Sequence, residues 1–385
     1  MKSATDRINF RRGAFVLNWL PLLISGCVTL PMVGPDAARF TATAVSPVDG
    51  GALFAAAPGG KGVAFSFGGV RLASLPSGEP RTLSRETPLA LAWSPDGGQL
   101  AAAFARNGDG RITVFGDDGA VLRGTDVTGR IAALFWPSPD LLLAVTLELT
   151  EYKFGTTCRE SLVTWQMGET PRQTLLHETT LKPSTTRGVG QGLLTRVLSP
   201  LISPWGDELL YGHLMDPPAA PPYLKIMLRN ITSGAEREIA TTGFREGTAG
   251  FTADGDDLLV TDDAGRISSI TPWSGAEQRV LPFTGKVLAV SPDGHHMLLD
   301  GRVLDNGVEV ARFPPPTTGT FMKNGHLLVL HDGALFFVSG LGDPVPAPPA
   351  MAPEKRLRLR TLRAWRSSGL ISTEEYVTAM ERLKK

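Results

Sequence analysis

The sequence predicts an all-β fold, a seven-bladed β-propeller, followed by a small C-terminal helical hairpin. A turn motif recurs, intact at Ser94-Pro95-Asp96-Gly97 and Ser291-Pro292-Asp293-Gly294. Worn copies stand at Ser46-Pro47-Val48-Asp49-Gly50, Ser138-Pro139-Asp140, Ser203-Pro204-Trp205-Gly206 and Thr252-Ala253-Asp254-Gly255. Short apolar runs flank each copy, and a unit returning about every 45 residues marks a repeat architecture. Composition agrees, since 42% hydrophobic residues and 43 Gly suit a globular β protein with many tight turns.

Residues 89–123 show one unit most clearly. The run 89–93 is apolar and ends in the Ser94-Pro95-Asp96-Gly97 turn. Pro95 pre-sets φ at the first corner, Asp96 bonds the backbone locally, and Gly97 tolerates positive φ. A second strand is expected over 100–104. Asn107-Gly108 is the strongest hairpin signal in the chain. Residues 111–115 alternate polar and apolar side chains, as a half-buried strand does. Gly116-Asp117-Asp118-Gly119 turns the chain into a fourth strand over 120–123. Four antiparallel strands joined by tight turns make one blade.

The motif copies begin at Ser46, Ser94, Ser138, Ser203, Thr252 and Ser291, and Lys323-Asn324-Gly325 supplies a seventh. The long gap between Ser138 and Ser203 leaves room for an insertion over 179–191. The four prolines of residues 216–222 interrupt a hairpin between Leu210 and Leu224. Residues 40–45 are expected to pair with the last blade and close the ring, because an open sheet edge is a liability. These repeats resemble the WD40-like repeats of the Tol–Pal propeller protein and related bacterial periplasmic propellers, over residues 40–341. The Trp-Asp and Gly-His dipeptides of eukaryotic WD40 blades are missing. The resemblance implies the fold, and a fold of this kind hosts many functions.

The N-terminus reads as an export signal over residues 1–26. Lys2, Arg7, Arg11 and Arg12 form a basic start, and residues 13–24 form an apolar stretch too short to span a bilayer. It ends in Ile24-Ser25-Gly26-Cys27, which resembles a bacterial lipobox. That resemblance implies cleavage before Cys27 and its lipidation, against the plainer readings of an uncleaved anchor or a core cysteine. Val28, in place of Asp, favours in that family pattern the outer membrane facing the periplasm. Arg11-Arg12 also fits twin-arginine export, but Gly13-Ala14-Phe15 departs from that pattern. Residues 27–39 would be a tether reaching at most about 40 Å. With Cys27 lipidated, Cys158 is left without a disulfide partner and reads as a small buried hydrophobe.

Residues 342–353 are a Pro-rich spacer. Residues 354–368 form a helix candidate stopped by Gly369. Ser372-Thr373-Glu374-Glu375 is a capping box that opens a second helix. Gly369-Leu370-Ile371-Ser372-Thr373-Glu374-Glu375-Tyr376 resembles the hallmark of the SHOCT family of short C-terminal domains, which implies oligomerisation or partner binding by residues 354–385. Two short helices bury too little surface to stand alone. They need a second copy, a partner or the propeller. The candidate interaction residues are Arg356, Arg360, Arg363, Trp365, Arg366 and Tyr376.

Charge and motif searches narrow the chemistry. Residues 354–385 carry nine Lys or Arg against four Glu, while residues 27–353 are net acidic. An acidic propeller with a basic tail is no nucleic-acid footprint. The tail arginines suit anionic headgroups or an acidic protein, or are simply a solvated helix face. His295-His296 has no third ligand at a recognised spacing, and His177-Glu178 lacks a second His at zinc-protease spacing. Gly188-Val189-Gly190-Gln191-Gly192 opens no helix after a strand, and no Gly-x-Ser-x-Gly elbow occurs. No cofactor, metal or catalytic residue is assigned. Trp93, Trp136, Trp205 and Trp273 are expected in inter-blade packing. The expected function is a membrane-anchored envelope scaffold that binds a protein or glycan. The alternative is a propeller hydrolase or lyase, which requires acidic or His side chains converging on the channel.

Overall fold

Strands joined by short turns must lie antiparallel to their neighbours. In the computed structural model they do so in seven four-stranded sheets, each built mainly from strands consecutive in sequence. The structure describes residues 30–48, 53–152, 155–166, 172–181, 201–341 and 353–384, apart from positions 204–205, 216–222, 232, 244–247, 253–254, 256, 263, 272–276 and 368. Blade 1 holds Phe54–Ala56, Gly62–Ser66, Val70–Ser74 and Arg81–Ser84. Blade 2 holds Pro88–Trp93, Gln99–Arg106, Asp109–Gly116 and Val121–Val127. Blade 3 holds Arg130–Ser138, Leu141–Tyr152, Gly155–Gln166 and Arg172–Leu181. Blade 4 holds Leu201–Ile202, Glu208–Met215, Tyr223–Asn230 and Glu236–Gly243. Blade 5 holds Thr248–Phe251, Leu258–Thr261, Arg266–Thr271 and Glu277–Thr284. Blade 6 holds Val287–Val290, His296–Leu299, Arg302–Asp305 and Val308–Arg312. Blade 7 holds Thr317–Phe321, Leu327–His331 and Ala334–Ser339, with Thr41–Pro47 from the N-terminus as its outer strand.

First strands touch between blades 1 and 2, 2 and 3, 5 and 6, and 6 and 7, which places the first strands on the inner ring around the axis. Second strands are sandwiched between adjacent blades and are apolar on both faces: Val63, Ala64 and Phe65, or Leu327, Leu328 and Val329, have no exposed surface. The core lies in the seams. Ala101 and Ile112 of blade 2 pack with Ile131, Trp136, Leu142 and Trp165 of blade 3. Trp93 stitches another seam, its Nε1–H donating to the Ala55 carbonyl at 3.0 Å.

Alternating strand direction gives the ring two unlike faces. One, the turn face, carries the turns between first and second strands. The other, the connector face, carries the turns between second and third strands and the links between blades. On the connector face, Asn107-Gly108, Asp300-Gly301 and Asp332-Gly333 have positive φ at both residues, as two-residue hairpins require.

On the turn face the repeat is visible in hydrogen bonds. Ser94 N–H donates to the Gln99 carbonyl and Gly97 N–H to the Ser94 carbonyl, both at 2.9 Å. The same pair of bonds recurs at Ser203 and Gly206, Thr252 and Gly255, and Ser291 and Gly294, and a shortened form at Met322 and Gly325. One expectation is corrected here. The Ser46 copy is not a blade turn, because Ser46 lies in the outer strand of blade 7 opposite Leu335. Blade 1 turns instead at Ala57-Pro58-Gly59-Gly60, where Ala57 N–H reaches the Gly62 carbonyl and Gly60 N–H the Ala57 carbonyl.

Ring closure follows the sequence expectation: Thr41 to Pro47 pair antiparallel with Ser339 to Ala334. The segment before it differs from the expected tether. Val33 N–H donates to the Arg312 carbonyl at 3.0 Å, Arg312 N–H returns to Val33 at 2.7 Å, and Leu30 is buried among Val310, Phe313 and Phe336. From Leu30 onward the chain is therefore fastened to the outer edge of blade 6.

Blade 3 takes up part of the long gap after Ser138 by lengthening its strands. Leu141–Tyr152 and Gly155–Gln166 pair over twelve residues each. Of the insertion expected over 179–191, residues 179–181 end the fourth strand of blade 3, while residues 182–191 and the Pro-rich 216–222 lie outside the described residues.

Candidate functional site

Two helices follow the propeller, α1 (Pro353–Ser367) and α2 (Thr373–Lys384). Their junction is locally encoded. Gly369 adopts φ +72°, Gly369 N–H donates to the Arg366 carbonyl, and Leu370 N–H donates to the Trp365 carbonyl at 2.8 Å. This is the Schellman pattern that ends a helix at glycine. Ser372 then caps α2 reciprocally: Glu375 N–H donates to Ser372 Oγ at 3.2 Å and Ser372 N–H to Glu375 Oε2 at 2.8 Å. The second bond and the hydroxyl together hold the Glu375 carboxyl below its ordinary range. The Arg366 guanidinium lies over the Tyr376 ring at 4.9 Å, tying α1 to α2.

Helix α1 sits on the turn face at the seam between blades 4 and 5. Leu359 and Arg360 are buried. Arg360 Nη1 and Nη2 donate to Glu208 Oε1 and Oε2, each at 3.3 Å, and Nη2 lies 3.4 Å from the Gly255 carbonyl. Glu208 opens the second strand of blade 4 directly after the Ser203 turn, and its own N–H donates to Ser203 Oγ at 3.1 Å. Gly255 belongs to the equivalent turn of blade 5. One guanidinium thus joins two consecutive blade turns. Burial pushes the Glu208 carboxyl up to about 7, with Asp207 adding to the rise and Arg360 and Arg237 opposing it. Partial desolvation holds the nearby Arg237 guanidinium below its ordinary value, with Glu208 opposing the shift and Arg360 adding to it.

The sequence-derived candidates therefore separate. Arg360 faces inward to Glu208. Arg366 and Tyr376 are brought together. Trp365 is 46% exposed and shares the outer surface of the hairpin with Leu370 and Val377. Arg356 and Arg363 lie on α1, but their side chains, like Cys27, Trp205, Trp273 and residues 188–192, are outside what the structure describes. Glu208 and Gly255 were missed by sequence reasoning, since Glu208 looks there like an ordinary strand-edge carboxylate.

The inner strands carry the other half of the site. Their described residues are aliphatic, aromatic, Gly, Pro, Ser or Thr, with Arg130 the single charged residue at one strand's start. Several described histidines contact neighbouring fold elements. His295 Nδ1 is 2.8 Å from Asn306 Oδ1, His326 packs against Phe337 with the rings tilted by 58°, and His331 Nδ1 lies 3.2 Å from the Pro316 carbonyl. Among the described residues no three His, Cys, Asp or Glu side chains are grouped to hold a metal. Asp257 accepts from Thr271 Oγ1 at 2.6 Å and Ser269 Oγ at 3.2 Å, and Asp262 accepts from Ala264 and Arg266, so these turn carboxylates are used by the fold.

This architecture defines a seven-bladed β-propeller with a helical hairpin docked on its turn face. Comparison with protein-family models and with curated proteins finds no match. Among solved structures the chain is similar to hydrazine synthase of Kuenenia stuttgartiensis, at 14% identity and a TM-score of 0.51, covering 78% of this chain and 97% of that one. It is also similar to the β-propeller domain of Cps50 (Swd1) from Myceliophteria thermophila, at 13% identity and a TM-score of 0.48, covering 77% and 99%. Likeness at these identities concerns the fold.

Proposed function

We propose that this protein is a lipid-anchored scaffold of the bacterial cell envelope, held in the outer membrane facing the periplasm, whose propeller and C-terminal hairpin bind a protein or glycan. The observation that carries the binding reading is the inner ring. Acid–base hydrolysis or lyase chemistry needs titratable groups converging on the substrate. The described inner strands offer apolar and hydroxyl side chains, which suit contact surfaces. The anchor reading rests on the basic start, the short apolar stretch and the lipobox-like Ile24-Ser25-Gly26-Cys27. The SHOCT-like hairpin supports partner binding, because with Arg360 buried against the propeller it still exposes Trp365, Leu370 and Val377.

Intact mass of the membrane-extracted protein, with crosslinking and pulldown, tests the reading. The expected mass is that of residues 27–385 plus lipid, lost in Cys27→Ala, with envelope proteins or glycans captured by the wild type. An unprocessed, unlipidated chain would refute the anchor. Turnover of a periplasmic ester or glycan by the purified chain would refute the scaffold.

A further inference from the structure

The two ends of the chain leave the ring on opposite faces. At the N-terminal end, Val33 is bridged to Arg312, which stands opposite Arg302 beside the Asp300-Gly301 turn, at the connector-face end of blade 6. The chain then climbs along the outer strand, with Asp36 N–H donating to the Val310 carbonyl, and enters blade 7 at Thr41 opposite Ser339, on the turn face. The attachment leaves little play. Gly34 has φ +139°, and a Cβ there would meet Ala311 Cα and the Val310 carbonyl oxygen at 2.9 Å. Leu30 is buried in the seam between blades 6 and 7. Cys27 lies three residues before Leu30, at most about 11 Å of extended chain. At the other end, Arg360 holds α1 on the turn face, across blades 4 and 5.

We infer that the anchored protein stands with the connector-face end of blades 6 and 7 against the bilayer and carries the C-terminal hairpin on the membrane-distal face. The inference rests on the lipid-anchor reading above. Strands of four or five residues put about 15 Å of protein between the two faces. That exceeds the screening length of about 8 Å at physiological salt. The exposed cations of the hairpin, Arg358, Arg366 and Arg382, are then too far from the headgroups of their own membrane to be held by them. The exposed Trp365, Leu370 and Val377 are carried away from the membrane on the same hairpin.

The test uses full-length, membrane-extracted protein reconstituted in phosphatidylcholine–phosphatidylglycerol vesicles containing a headgroup-linked nitroxide lipid. A fluorophore is placed at Lys286→Cys, an exposed connector-face position beside blade 6, or at Thr378→Cys, exposed on α2, each with Cys158→Ser. The expected result is at least threefold stronger quenching at position 286 than at position 378. Equal quenching, or stronger quenching at 378, overturns the orientation while a lipid-bearing intact mass leaves the anchor reading standing. An intact mass without lipid overturns both.

Discussion

Arg360 and Glu208, 152 residues apart in sequence, meet as a bidentate ion pair buried between two propeller blades. The pair makes the C-terminal helix part of the propeller surface, although the sequence presents it as an appended module behind a Pro-rich spacer. Arg suits the position because its planar fork satisfies both carboxylate oxygens and still reaches a backbone carbonyl.

Removing one partner of a buried ion pair leaves the other charge uncompensated, at a cost of about 3–5 kcal/mol. Arg360→Ala should therefore detach α1 from the seam. Limited proteolysis should cut within Pro353–Ser367 at least tenfold faster than in the wild type, while the circular dichroism of the blades stays unchanged.

The pH dependence has a definite sign. Burial raises the Glu208 carboxyl from its ordinary 4.5 to about 7. The folded protein therefore holds this proton more tightly than the unfolded chain does. The resulting contribution to stability is fully present below about pH 4.5 and is lost as pH rises through 7. Glu208→Gln removes it. Urea midpoints measured from pH 4.5 to 8 should fall less steeply with rising pH in Glu208→Gln than in the wild type.

The hairpin junction depends on two local devices. Ser372→Ala removes the hydroxyl cap of α2 and should cost about 1 kcal/mol. Gly369→Ala forces a side chain into φ +72° and should cost a similar amount. Hydrogen exchange at Glu375 and Leu370, the amides that these devices protect, should accelerate about fivefold in the respective variants.

Fastening of the N-terminal strap depends on Gly34. Gly34→Ala places a methyl group against the backbone of the blade 6 outer strand at 2.9 Å, in a φ region costly for side chains. Amide exchange at Val33 and Arg312 should rise at least tenfold, while exchange in the second strand of blade 2 stays unchanged.

Blade strands were legible in the sequence because their causes are local. Asn107-Gly108 fixes a hairpin wherever it stands, and Ser94 and Asp96 bond within their own turn. The Ser372 cap and the Gly369 stop were legible for the same reason. Blade 1's turn escaped notice because Ala57 and Gly59 replace the Ser and Asp of the motif, although the backbone bonds persist. The strap of residues 30–39 looked like a tether because its partner, the edge strand Val308–Arg312, is almost 300 positions away in sequence. Arg360 was visible only as one of several tail cations. Nothing local distinguishes it from Arg358 or Arg366, and its partner is fixed only once blades 4 and 5 stand side by side.

A double-mutant cycle on Arg360→Leu and Glu208→Leu tests the docking of the hairpin most directly. Each single substitution leaves a buried polar group without its partner, whereas the double replaces the pair by apolar contact. The structure predicts two destabilised single variants, a double variant less destabilised than the sum of the two, and a coupling of about 2–3 kcal/mol. Additive effects, with no coupling between the two positions, would contradict a hairpin seated on the propeller through this pair.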